Sequence, residues 1–181
     1  MRNKTSILLI LFVFIFSVSI YAQEKEEQTV QKIKLPKLYL EQKLDRAVVN
    51  VTAYVIGGIA FAKSLEKTPE DYGKFIGDMF APSWEGIKGK GITRFIEGMS
   101  RNFQSDVNCQ WEILSESDKS VKVKMNRFGD AIVKASAEMG VTTEEYDRCL
   151  GKVMEAIANY LGFDFKQELK GDWIVFTVSE K

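Results

Sequence analysis

Cys109 and Cys149 are the only thiols in this chain, and no histidine stands anywhere among its 181 residues. A Ser-His-Asp triad, a Cys-His pair and a histidine-bearing zinc site are therefore beyond its own means. Three readings remain for the cysteines. In an oxidising compartment the pair would form a disulfide, closing a loop of about 40 residues and contributing about 4 kcal/mol on a chain-entropy account. They could equally be two separate buried thiols that pack as small hydrophobes. In the third reading Cys149 is a nucleophile. Lacking histidine, it would need a lysine, an arginine or a helix terminus to lower its pKa.

Arg127 is the most informative charge. It continues the parity of Val121, Val123 and Met125, so it is expected on the core side. A buried guanidinium needs a partner. A ligand carboxylate or phosphate would serve, and so would Glu138, a helix C-terminus, or water if the strand ends at Met125. Tyr54, Trp84 and Trp111 join Arg127 as the expected lining of a ligand cavity, because 12% of the chain is aromatic. Simple core packing accounts for the same aromatics. Glu70 and Asp71 look like a catalytic pair, but they follow Thr68-Pro69 at a helix start, where carboxylates meet the positive end of the dipole. The run Gly86-Ile87-Lys88-Gly89-Lys90-Gly91 lacks the Gly-Lys-Ser/Thr order of a P-loop and follows no strand. No Asp-x-Asp loop suggests calcium, and no basic stripe with interleaved aromatics suggests nucleic acid. No metal or cofactor is expected.

These residues must be positioned by a body whose pattern changes period several times. From about Tyr39 to Glu66, Leu40, Leu44, Val48, Val51, Val55, Ile59 and Ala62 recur at helical spacings. Residues 47–62 carry no charge, which predicts a central buried helix. Gly57 and Gly58 weaken it by about 1 kcal/mol each relative to alanine. Close approach of another backbone would compensate, as would a kink beside a ligand cavity. Thr68 caps a second helix ended by Pro82, with Tyr72, Phe75, Ile76, Met79 and Phe80 as its inner face. Ile92, Phe95, Ile96, Met99 and Phe103 stripe a third. Alternation from Val107 through Ile113 and from Val121 through Met125 predicts an antiparallel hairpin. A helix is expected from near Phe128 to Met139. Another opens on a Thr142/Glu145 capping box, is striped by Tyr146, Leu150, Val153, Ile157 and Leu161, and closes on Gly162. A second hairpin turns at Lys170-Gly171-Asp172, and residues 173–178 form its central strand. The expectation is one α+β domain: a four-stranded antiparallel sheet of two hairpins, covered by helices.

The first 22 residues read as an address. Arg2 and Lys4 precede an apolar run over residues 7–16, and Ala22 offers a small residue for cleavage. The run is short of the roughly 20 apolar residues that span a bilayer. Stretched to Ala22, it could serve as an uncleaved anchor. Residues 23–37 are charged and free of aromatics, as in a flexible leader, and 38–181 form the single domain. Cleavage after Ala22 leaves 23 basic against 25 acidic side chains and no stable membrane span. An exported protein, periplasmic or secreted, is expected.

The carboxy-terminal third resembles vinyl-reductase-type small-ligand domains and their relatives among aminothiazoline-carboxylate hydrolases. The resemblance rests on Val121-Lys-Val-Lys-Met125 leading to Gly140, then Cys149, then Leu161-Gly-Phe-Asp-Phe165 and Leu169-Lys-Gly-Asp-Trp173. It implies a strand, a cysteine-bearing helix and a closing hairpin around a ligand cavity. The hydrolase-like relatives carry a cysteine after the second strand, where this chain has Met125-Asn126-Arg127.

The leading expectation is an exported, non-catalytic domain that holds a small apolar or amphipathic ligand between the sheet and the 47–62 helix. A protein–protein module of the cell envelope, its partner covering an exposed apolar patch, is the alternative. A hydrolase using Cys149 or a carboxylate is the third reading.

Overall fold

A computed structural model describes residues 37–106, 108–127, 133–134 and 137–181. The expected signal peptide and all but the last residue of the leader lie outside the described residues, as does most of the helix expected between Phe128 and Met139. Contacts divide the chain into Met1–Leu38 and Tyr39–Lys181. The architecture below is that of the second unit, with Lys37 and Leu38 the only described residues of the first.

The elements run α1 (Leu40–Ser64), α2 (Pro69–Phe80), a 3-10 segment (Ala81–Ile87), α3 (Ile92–Phe103), β1 (Trp111–Ser117), β2 (Ser120–Asn126), a 3-10 turn (Ala137–Met139), α4 (Thr143–Leu161), β3 (Phe163–Lys170) and β4 (Trp173–Glu180). Local chemistry sets several boundaries. At α2 the Asp71 amide donates to Thr68 Oγ1 at 3.0 Å, and the Thr68 amide donates back to Asp71 Oδ2 at 2.9 Å. At α4 the same reciprocal pair forms between Thr142 and Glu145. These boxes satisfy amides that have no partner within the helix. Gly162 ends α4 in the left-handed region at φ 93°, where a side chain would be strained.

The α+β expectation holds. The sheet is antiparallel, in the order β1-β2-β4-β3. Its hairpins are β1–β2 and β3–β4, and they join through β2 and β4, where Val123 stands opposite Phe176. Val121, Val123 and Met125 point into the core from β2, and Ile174, Phe176 and Val178 from β4. The strand expected from Val107 begins only at Trp111, and a register shift between Ile113 and Ser115 interrupts its alternation. Ile113 and Leu114 are consequently exposed on this edge strand.

Helix packing departs from expectation. The face of the sheet is covered by α3, through Phe95, Ile96 and Met99, and by α4, through Val153, Ile157 and Leu161. The α1 helix, charge-free over residues 47–62, is not central. Only Thr52, Ile56, Ile59 and Ala62 of its 25 residues are buried. Ile56 and Ile59 belong to a second cluster with Val133, Val141, Tyr146 and Cys149. With α4 already on the sheet, α1 and α2 pack behind α4 rather than over the strands. No residue from 40 to 51 is buried, so this half of α1 projects from the body. Charge-free composition was compatible with burial, but it does not require burial all round.

Glycine contacts explain how close α2 and α4 come. A Cβ on Gly73 would lie 2.2 Å from the Cys149 carbonyl oxygen, and one on Gly77 would lie 2.6 Å from the Ala156 Cβ. Gly58 accommodates the phenol of Tyr72, which is a side chain and not the backbone expected there. Gly57 faces open space, and α1 runs through both glycines without a break.

Candidate functional site

The four expected lining residues do not come together: three are engaged separately, and the fourth, Tyr54, is exposed. Trp84, in the 3-10 segment, packs edge-on against Phe95 at 5.6 Å between ring centroids. Its ring also lies over Gly98, where a Cβ would come within 2.7 Å of it. Trp111 stacks on Phe103 and meets Phe176 in a T-shaped contact. Both tryptophans are core packing. Tyr54 is 80% exposed on α1.

Arg127 turns to a partner that sequence reasoning did not consider. Its Nε donates to Asp147 Oδ2 at 2.5 Å, and Nη1 donates to the Gly171 carbonyl at 3.2 Å. The Gln167 side chain donates to the Asp147 carbonyl oxygen at 3.0 Å. One arginine thus ties the end of β2 to α4 and to the β3–β4 turn. Asp147 is 1% exposed, and its neighbour Tyr146 hydrogen-bonds Thr52 of α1. Burial, with smaller contributions from Asp147, Cys149 and Asp106, holds the Tyr146 phenol up at about 12. This polar group joins the elements of the fold.

The expected Cys109–Cys149 disulfide is not formed, and both thiols are free. Cys149 is enclosed by the α1–α4 cluster, whereas Cys109 lies half-buried in the link before β1, where its amide donates to the Asp106 carbonyl. Burial pushes Cys149 up to about 12, with Glu70 adding to the shift. Burial and then Asp106 push Cys109 up to about 11. A nucleophilic cysteine needs the opposite environment. Among the described residues, no three His, Cys, Asp or Glu side chains gather as metal ligands.

Among the described residues, the sheet and the helices over it enclose a small void. The void bounded by Met99, Phe103, Met125, Leu150, Met154, Phe165 and Phe176 measures about 10 Å³, roughly the room for one water. A larger cleft of about 570 Å³ is open to solvent between α2 and α4. Glu70, Asp71, Lys74, Asp78, Lys152 and Glu155 line it, several of them already paired: Lys74 with Asp78 at 2.6 Å, Lys152 with Glu155 at 2.5 Å.

The most unusual surface belongs to α1. Leu40, Leu44, Val51, Tyr54, Phe61 and Leu65 are all exposed. Gly58 lies on the same side, and Tyr72 meets it there. Phe75 and Met79 continue the Tyr72 side of α2, and they too are exposed. Two apolar stripes therefore lead away from the Gly58–Tyr72 contact. By length and composition alone α1 could also cross a membrane. Periodicity had found the helix but had assigned its apolar residues to the interior. The legible signal was the presence of two apolar stripes, where one suffices to bury a helix.

No family model matches the chain, and no curated protein matches it. Among solved structures, the chain is similar to a crystal structure of an Fe(II), unliganded H-NOX protein mutant from K. algicida. The two are 7% identical over 81% of this chain and 75% of that one, with a TM-score of 0.36. A likeness that distant supports no conclusion about fold or ligand.

Proposed function

We propose that this chain is an exported, non-catalytic docking module of the cell envelope, which holds a protein partner on the outward face of α1. The supporting observation is the run of large apolar side chains along that face, from Leu40 and Leu44 through Val51 and Tyr54 to Phe61. Contiguous exposed apolar surface is uncommon on a soluble monomer and marks interaction sites. The export half of the proposal rests on Arg2, Lys4 and the apolar run that follows them. Photo-crosslinking from positions 44, 51 and 54 tests the docking half. Protein adducts are expected from these positions in the envelope fraction, and none from Glu85, an exposed position in the 3-10 segment. Recovery in the cytosol with the leader intact would sink the export half. Equal labelling at all four positions, or none, would sink the docking half.

A small-ligand role has a second, different location. The α2–α4 cleft sets Lys74, Asp78 and Lys152 beside Ala81, Pro82 and Ala156, a mixed lining that favours an amphipathic molecule over a purely apolar one. The resemblance to vinyl-reductase-type domains supports this reading only through its general layout. Native mass spectrometry of the purified protein would reveal a retained ligand.

A further inference from the structure

The outward residues of α1 are spaced more regularly than docking in general requires. Leu40, Leu44, Ala47, Val51, Tyr54, Gly58, Phe61 and Leu65 alternate in steps of four and three without exception. This is the 3.5-residue repeat of a seam that another helix follows along its length. The helix binds its own body with different residues, Thr52, Ile56, Ile59 and Ala62. It therefore has two apolar stripes, one used within the domain and one left over from Leu40 to Tyr54, before Tyr72 meets Gly58. We infer that the second stripe pairs with the same stripe of a second copy, the two α1 helices running parallel and in register from Leu40 to Tyr54. This deepens the docking reading and rests on it.

Three observations favour a second copy over other occupants. None of residues 40–51 is buried, so among the described residues nothing covers this half of α1 along the roughly 18 Å that a neighbouring helix would follow. Beyond Tyr54 the phenol of Tyr72 occupies the Gly58 position. Parallel pairing places both bodies at that same end and leaves the projecting halves to meet, whereas antiparallel pairing over the whole seam would run a partner into Tyr72. The charges also fit. Asp45 and Arg46 lie on the side away from the seam, where two paired helices would keep them in water. In the parallel arrangement Lys43, at a flanking position, faces Val48 of the second copy, so no like charges meet there. A closed two-fold pair uses one patch twice and needs no second complementary surface.

Sedimentation velocity on the full chain, purified from the envelope fraction with its native N-terminus, tests this from about 1 to 100 µM. The wild-type chain is expected at twice the monomer mass. Leu44→Glu and Val51→Glu each place a charge in the seam and should raise the dissociation constant by about 100-fold or more. Val49→Glu, on the far side of the helix, should leave the dimer intact. All three positions are exposed, so unchanged far-ultraviolet circular dichroism should show that folding is retained. Monomeric wild type, a dimer indifferent to the seam substitutions, or dissociation by Val49→Glu would each overturn self-pairing. Crosslinking then separates the two levels. A monomer whose position-44 adduct is a different protein ends self-pairing but leaves docking standing. A monomer with no specific adduct ends both. A monomer that floats with phosphatidylglycerol vesicles, and ceases to with Leu44→Glu, reassigns the seam to lipid and ends both.

Discussion

Arg127 and Asp147 form an ion pair of 2.5 Å with the carboxylate almost wholly enclosed, joining the end of β2 to the first half of α4. The same guanidinium reaches the Gly171 carbonyl, so the two hairpins and the helix behind them share one side chain. Removing one member of a buried pair is costly, since the other keeps its desolvation penalty without compensation. Arg127→Ala would take this guanidinium away from the buried Asp147 carboxylate. Its own side chain is 21% exposed, so water offsets part of the loss. The expected destabilisation is about 2–4 kcal/mol by urea unfolding. Exchanging both partners for Met and Leu should cost much less than either single alanine. Equal losses would show that the pair contributes little through charge.

The cysteines give a chemical prediction. Burial, then Glu70, raises Cys149 to about 12, and burial, then Asp106, raises Cys109 to about 11. Iodoacetamide at pH 7.5 should label the native protein slowly, and after unfolding two alkyl groups should add without prior reduction. Native values above the usual thiol range mean that the neutral thiols favour the fold. That contribution is complete below about pH 9 and is lost as pH rises through 11 and 12. Stability should therefore decline on the alkaline side. A denatured, unreduced chain that accepts no alkyl group would restore the disulfide.

Glu145 governs the acid side. Burial would raise its carboxyl, but hydrogen bonds from Lys63 and the Thr142 amide outweigh this and hold it below the ordinary value. Its contribution is present above about pH 4.5 and is lost as pH falls through the lowered native value. Lys63 also donates to the Gly140 carbonyl at 2.6 Å, so α1 is fastened to the start of α4 through both contacts. Glu145→Ala removes the side-chain half of the capping box and the bridge together. It should cost about 1–2 kcal/mol at pH 7, a penalty that shrinks as pH falls below about 4.5. A penalty that stays the same however far the pH is lowered would rule out the charged interaction.

These features divide by how local their causes are. The Thr142/Glu145 box, the Gly162 cap and the two hairpins were readable because each depends on residues a few positions apart. Only part of the Thr68 box was evident: Thr68 was recognised as the cap, but the return bond from Asp71 was not. Asp147 was missed because an acid in the run Thr143 to Arg148 reads as surface, and its burial depends on an arginine 20 positions away. Trp84 and Trp111 were correctly noticed as large aromatics, but their neighbours Phe95 and Phe176 come from distant elements. The α1 helix was correctly placed and wrongly buried. Its stripe spacing predicts a helix equally well whether the neighbour is its own sheet, its own α4 or another chain.

Three glycines test the packing of α2 and α1 in opposite directions. Alanine is favoured over glycine within a helix by about 1 kcal/mol, through backbone entropy alone. Gly57 has open space where a Cβ would project, so Gly57→Ala should stabilise the protein by about that amount. Gly73 sits where the backbone of α4 leaves no room, the Cys149 carbonyl lying 2.2 Å from an added Cβ. Backbone cannot step aside as a flexible side chain can, so Gly73→Ala must push α2 away from α4. It should destabilise by about 2–3 kcal/mol despite its better helix propensity. Gly77→Ala, meeting Ala156 and Val153, should act in the same sense. Thermal unfolding of the three variants reads the signs directly. Should Gly73→Ala raise the midpoint as Gly57→Ala does, the close approach of α2 to α4 would be wrong, and the open cleft between them would lose its geometry with it.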